Sequence, residues 1–318
     1  MSSRLSTSTA LTLLLVGAPA LAHADEPLTT PISLSGFVDT STLVPLAGYP
    51  EGSRAVSLGL DQLELDVIAK PVDGVTLRTD INWFPASEVT SFDDIVEQGL
   101  IRVDFESGLF VQGGKVNAPI GVELPDPTDT FQYSNGLLFS FATPTNLTGL
   151  FLGYASEHID AQLFVTNDWD TSSTPGDACG GARFAYLFGG SVIGLSAIYG
   201  PFDADASRFV IDLDLTFALG DLTLWGEGNL NRTGDAQAVG FMVKGNYAFG
   251  DFSATLRMSY LDSDSGLGVF GNSDLEITGA FNFPVARGVG GLVELRTDTP
   301  DEGDTLLTAA VEMTGSFD

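Results

Sequence analysis

The chain has 318 residues, of which 42 are acidic and 13 basic, for a formal net charge of −29 at pH 7. That surplus excludes a nucleic-acid partner, because phosphate binding needs a basic footprint; it fits cation-attracting acidic loops, a soluble acidic surface or adaptation to a salty medium. Two histidines and one cysteine exclude an intrachain disulfide and a multi-cysteine metal site, and they leave too few partners for a histidine-dependent triad or a zinc site, so no enzyme activity and no cofactor are expected.

Residues 1–24 read as a secretory signal peptide. Arg4 supplies the positive start and Ala10 to Val16 the short apolar core, while Ala20-Leu21-Ala22 or Ala22-His23-Ala24 forms the small-residue cleavage site. The apolar run is too short to span a bilayer as a helix, and no later segment approaches the roughly 18 apolar residues that a transmembrane helix needs. Residues 25–318 form one expected domain without a linker or low-complexity segment.

Within that domain, apolar and polar residues alternate in repeated pairs of segments. Val239, Phe241, Val243, Tyr247 and Phe249 run into the turn at Gly250-Asp251, and Phe252, Ala254, Leu256, Met258 and Tyr260 run out of it. Lys244, Asn246, Ser253, Thr255, Arg257 and Ser259 sit between them. Successive side chains of a strand point to opposite faces, so such strands separate lipid from water. Strands are predicted over 32–42, 55–69, 74–84, 96–106, 108–116, 146–156, 158–167, 180–188, 190–200, 206–219, 221–231, 236–249, 251–261, 272–283, 288–298 and 305–317. Only a closed barrel can carry strands through a bilayer, and about sixteen is an even number, as antiparallel closure requires. The fold class is therefore all-β, a transmembrane antiparallel up-and-down β-barrel.

The connections alternate in length. Short ones are Lys70 to Asp73, Ser107, Glu157, Gly189, Gly220, Gly250 and Pro284 to Arg287; longer ones follow residues 42, 84, 116, 167, 200, 231, 261 and 298. Outer-membrane barrels have short periplasmic turns and long extracellular loops, which places both termini in the periplasm. His158 falls in the tight turn at Ser156-Glu157-His158, where a solvated imidazole is expected, and Cys179 is expected in a loop.

A charged side chain facing mid-bilayer lipid costs about 2–4 kcal/mol for Arg or Lys, so the charged face is assigned inward. That assignment gives the lumen Arg78, Asp80 and Asn82; Gln98, Arg102, Asp104 and Glu106; Arg208, Asp212, Asp214 and Thr216; Thr223, Trp225, Glu227, Asn229 and Asn231; and Glu294 and Arg296, with Lys244 and Arg257. Strand 55–69 breaks phase near Asp61-Gln62, which predicts a bulge. At the C-terminus Leu307, Ala309, Val311, Met313, Gly315 and Phe317 alternate up to an aromatic residue, as outer-membrane proteins inserted by barrel-assembly machinery do, although Asp318 follows it.

Residues 108–170 are the most distinctive stretch. Gly114-Lys115-Val116-Asn117-Ala118-Pro119-Ile120-Gly121-Val122-Glu123 leads to Pro125-Asp126-Pro127, then Tyr133-Ser134-Asn135, Pro144, Thr148-Gly149 and Asn167-Asp168-Trp169-Asp170. With the opening Ser35-Gly36-Phe37-Val38-Asp39, these motifs resemble the β-barrel porin-2, OmpL-like family, over roughly a fifth of the chain. Val116, Ala118, Val122 and Asp168 depart from that family's commoner residues. The resemblance implies an outer-membrane porin. The residues themselves explain the stretch another way: Pro119 and Gly121 stop strand pairing, and the connection to about Asn146 is the longest in the chain. Long ordered loops are usually functional. Two placements are open, a loop folded into the barrel mouth with Lys115, Glu123, Asp126 and Asp129 at a constriction, and a loop packed over the rim.

The leading functional reading is a water-filled passive diffusion channel for small hydrophilic solutes, cation-preferring because of its acidic mouth, in the outer membrane of a Gram-negative-type bacterium. The alternative is a plugged structural or ligand-docking barrel; an outer-membrane hydrolase is a third reading. Acidic pairs such as Asp262 with Asp264, or Asp301, Glu302 and Asp304, lack the spacing of a calcium loop, so no metal site is assigned. A homo-oligomer is compatible with all of this, but no residue specifies its interface.

Overall fold

Alternation at period two dictates strands with unlike faces, and the computed structural model joins sixteen of them into one closed antiparallel barrel. The structure describes residues 30–50, 52, 55–84, 95–169, 178–201, 206–264 and 273–318. The expected signal peptide, and most of the loops expected after residues 84, 167, 200 and 261, lie outside the described residues.

In chain order the strands are β1 (Ile32–Ala47), β2 (Ser57–Ala69), β3 (Val75–Trp83), β4 (Val96–Asp104), β5 (Leu109–Asn117), β6 (Asn146–Ala155), β7 (Ile159–Thr166), β8 (Cys179–Phe188), β9 (Ser191–Pro201), β10 (Ser207–Leu219), β11 (Leu222–Thr233), β12 (Ala236–Phe249), β13 (Phe252–Ser263), β14 (Ser273–Ala286), β15 (Val289–Pro300) and β16 (Leu306–Phe317). Each pairs with its neighbours in sequence, and β1 closes on β16 with Gly36 opposite Phe317 and Thr42 opposite Val311. Closure leaves no strand edge unpaired, which a lipid environment demands.

Two bulges reset the alternation. Asp39 pairs with Gln62 but Thr40 with Leu60, so Asp61 is the extra residue where the sequence loses phase, and Gln62 and Glu64 both turn inward and are buried. Across β3 and β4, Asp80 pairs with Gln98 and Ile81 with Val96, which leaves Glu97 as the extra residue; Val96, Glu97 and Gln98 are all buried. One expected loop is absent. The ladder of β11 and β12 continues to Thr233 opposite Ala236, and only Gly234 and Asp235 remain as a turn. Arg232 and Thr233 read as loop in the sequence because no apolar partner marks the outer face there.

The outer face is apolar. Leu150 and Leu163 are 66% and 62% exposed, values that suit lipid contact and would be a liability in water. Tyr247, Phe249, Phe252, Phe281 and Phe283 form a chain of rings with centroids 5.9 to 6.3 Å apart beside the short β12–β13 turn, matching an interfacial aromatic girdle. His158 lies in the exposed β6–β7 turn, its Nδ1 3.3 Å from the Leu187 carbonyl. Cys179 departs from the expected loop: it begins β8 and is buried in an apolar cluster with Val116, Ile120, Leu147, Phe151, Phe164, Ile198 and Val210. The strand predicted over 180–188 falls one residue short of it, because Gly180 and Gly181 weaken the pattern at that end.

Candidate functional site

The site is the long connection between β5 and β6, which turns into the barrel. Pro119 has no N–H for the ladder, and Gly121, at φ +84°, takes a backbone that side-chain-bearing residues avoid. A Cβ at Gly121 would also sit 3.2 Å from Oε1 of Glu227. Three of the groups released from the sheet find partners on the inner wall. The Pro119 carbonyl accepts from Ser196 Oγ at 2.9 Å, Gly121 N–H donates to Asp212 Oδ1 at 3.2 Å, and Val122 N–H donates to Glu227 Oε2 at 3.0 Å.

Glu123 is the centre of the loop's attachment. Its carboxylate accepts from Arg257 Nη1 at 2.9 Å, from Lys244 Nζ at 3.3 Å and from Gly136 N–H at 2.7 Å. Burial alone would raise its pKa, but Arg257 and then Lys244 outweigh burial and hold the carboxyl below its ordinary value. Arg257 also holds Glu276 through Nε at 3.1 Å and the Ser134 carbonyl at 2.6 Å. Further along, Tyr133 and Ser134 N–H groups donate to Glu294, and Arg296 donates to the Asn135 carbonyl at 2.7 Å. The loop then forms the one-turn helix α1 (Leu137–Phe141), too short to persist by itself. Leu137 and Leu138 are buried against Ala238, Met242 and Leu261 of β12 and β13, and each such side chain contributes about 1.5–3 kcal/mol by burial.

Other expected lumen residues occupy a range of positions. Asp214 makes a two-pronged contact with Arg183 at 2.6 and 2.8 Å, and Asn229 donates to Asp212 at 3.3 Å. Trp225 meets Phe131 of the loop in a tilted contact at 5.8 Å, with Lys244 Nζ 5.1 Å from its ring centre. Arg208 lies over Trp169 at 4.3 Å. Arg78 pairs with Asp80, and Asn82 bridges Gln62 and Glu97. Arg102 and Asp104 form an exposed pair towards the short-turn end.

Three expectations shift. Glu106 lies in the exposed β4–β5 turn and not on the strand's inner face, because β4 ends at Asp104. Lys115 leans on β4, its Nζ donating to the Val96 carbonyl at 2.8 Å. Asp129 closes a 3₁₀ turn over Pro127–Asp129 and is exposed, while Asp126 is buried.

Sequence reasoning missed Arg183, Glu64, Glu97, Glu276 and Glu312. Glu312 lies in phase with Ala310 and Thr314 on a strand whose outer residues were already recognised, so simple alternation finds it. Glu64 and Glu97 follow only from the bulges.

The loop divides the lumen unequally. The apolar cluster lies towards β5–β10 and the polar network towards β10–β15, while a cavity of about 520 Å³ opens inside β1–β7, lined by Lys70, Arg78 and Arg102 together with Gln98 and Asp160. Along β1, β2 and β16 a second cavity of about 340 Å³ remains, lined by Asp39, Asp61, Tyr133 and Glu312 among others. A third cavity of about 440 Å³ shares Pro127, Thr130 and Glu312 with it and reaches Asp251 and Ser316 at the short-turn end. No Lys or Arg is among the described residues lining either of these last two.

A sixteen-stranded closed barrel with a lipid-suited outer face, a polar inner wall and a loop folded inside it defines a porin-type outer-membrane β-barrel. The chain belongs to the family described as "Putative beta-barrel porin-2, OmpL-like", whose sequence model matches residues 70–306. Among solved structures, it is similar to the anion-selective porin from Comamonas acidovorans, with 13% identity, TM-score 0.69 and coverage of 91% of this chain and 100% of that one. OmpF of Salmonella typhi, solved with daunomycin, matches at 12% identity and TM-score 0.70, over 90% and 97% of the two chains. The trimer form of OmpT from Vibrio cholerae matches at 9% identity and TM-score 0.66, over 91% and 99%. These identities carry the fold alone. No curated relative matches the sequence.

Proposed function

We propose that this porin-type barrel is a passive, water-filled channel for small hydrophilic solutes, with a preference for cations and no catalytic role. One observation carries the selectivity: unlike the cavity beside Lys70, Arg78 and Arg102, the two cavities that meet at Glu312 are lined by Asp39, Asp61, Glu312 and Asp251, with no Lys or Arg among the described lining residues. A path walled by one sign of charge in a low-dielectric surround enriches the opposite ion. Residues 1–24 serve in this reading as the export signal, short turns face the periplasm, and barrel-assembly machinery inserts the chain. A homo-oligomer, as in the trimer form of Vibrio cholerae OmpT, fits the same picture.

The extent of packing between loop and wall favours a second reading, a plugged barrel with a structural or docking role. Conductance of the refolded mature chain in a planar bilayer separates the two. The channel reading predicts stable unitary steps; silence from protein shown to be folded and inserted would replace it with the plugged barrel.

A further inference from the structure

Many carboxylates inside the barrel meet a guanidinium, an ammonium or backbone N–H groups. The most tightly gathered cluster does not. Glu64 of β2, Glu97 at the β4 bulge and Asp126 of the loop each offer an oxygen within 4.8 Å of the others. They are only 3%, 8% and 8% exposed. Among the described residues no Lys or Arg makes an ion pair with any of the three.

Hydrogen-bond donors are also scarce. Gln62 Nε2 is spread over Asn82 Oδ1 at 2.9 Å, Asp126 Oδ1 at 3.4 Å and Glu64 Oε2 at 3.5 Å. The Asn82 amide donates to Glu97 Oε2. Three carboxylates carry six acceptor oxygens, too many for two side-chain amides to satisfy. Glu97 Oε1 is fully buried and finds no hydrogen-bond partner among the described residues. An orphaned carboxylate oxygen beside two further carboxylates calls for a cation or a shared proton.

We propose that Glu64, Glu97 and Asp126 bind a Ca²⁺ ion that clips the inner loop to the wall formed by β2 and β4. Ca²⁺ takes oxygen ligands at roughly 2.3–2.6 Å, so two of its ligands can stand up to about twice that distance apart. The three oxygens lie within 4.8 Å of one another, so a small inward movement brings all three onto one ion. Mg²⁺, at about 2.0–2.1 Å, would require the carboxylates to close in further. Two ligands come from the barrel wall and one from the loop, so the ion would tie the loop at a point distant in chain from α1. Ca²⁺ binds carboxylates in their charged form, so protons compete with it at this cluster. The site is independent of whether the barrel conducts.

The test is Ca²⁺ titration by calorimetry into the refolded, EDTA-stripped barrel, with thermal unfolding alongside, at pH 8 and pH 5.5. Wild type should show one saturable site at pH 8 and a Ca²⁺-induced rise in Tm, with affinity at least about tenfold weaker at pH 5.5 as protons fill the cluster. Glu97→Gln and Asp126→Asn should each lose that site and the Tm response, while remaining folded in EDTA. Equal Ca²⁺ uptake by wild type and both variants would assign binding to the exposed acidic loops and overturn the proposal. So would Ca²⁺ uptake that is unchanged between the two pH values, or none in wild type at all, readings that need no variant to fold.

Discussion

Glu123 and Asp126 stand three positions apart in one loop and are both buried, yet they meet opposite environments. Glu123 turns to β12 and β13, where Lys244 and Arg257 answer it, and its pKa is lowered. Asp126 turns to β2 and β4, where it meets Glu64 and Glu97, and its pKa rises to about 7. The same side-chain chemistry under the same burial gives a fixed anchor in one case and a conditional one in the other. The wall, and not the loop, decides which. The conditional side borders the acidic cavity of Asp39, Asp61 and Glu312, so the uncompensated carboxylates of the loop and of that cavity lie on one side of the lumen.

The largest expected effect comes from removing the shared cation. Arg257→Met leaves Glu123 and Glu276 buried without their guanidinium and should cost about 3–5 kcal/mol in equilibrium unfolding of the folded barrel. A loss under about 1 kcal/mol would mean the network is not what holds the loop. Glu123→Gln is milder, at about 1–3 kcal/mol, because Arg257 keeps Glu276 while Lys244 loses its carboxylate.

The two anchors should also titrate with opposite signs. Glu123, with a lowered folded pKa, contributes stability above the ordinary carboxylate range and loses it as pH falls through that folded value. Asp126 binds its proton more tightly when folded, so its contribution weakens as pH rises from the unfolded value towards about 7. In EDTA at pH 8, Asp126→Asn should therefore gain on the order of 1 kcal/mol and flatten the pH profile between about 4 and 7. Urea midpoints at several pH values check both signs. The smallest effect is reserved for Arg102→Ala: its partner Asp104 is exposed, and the change in the same assay should be about 0–1 kcal/mol.

The barrel was legible in the sequence because period-two alternation and loop length are local properties. Val239 to Tyr260 alone display two faces and one tight turn. The inward phase of Asp212, Glu227 and Arg257 was legible for the same reason. What alternation could not supply was the partner across the lumen. Nothing local joins Glu123 to Arg257, 134 positions away. Glu64 and Glu97 were hidden by bulges, each of which reverses the face of the residues beyond it. Among the polar residues assigned inward, Val210 and Ile198 also point inward, to cover the apolar start of the loop. Such residues share the outer face's chemistry, and only the folded loop explains them.

The most direct measurement is the reversal potential of the reconstituted channel in a KCl gradient, for wild type and for Asp39→Asn/Asp61→Asn/Glu312→Gln. A cation-side potential in wild type that moves towards zero in the triple variant is the predicted result. An anion-side potential, or a cation-side potential indifferent to the three substitutions, would contradict a selective path along β1, β2 and β16.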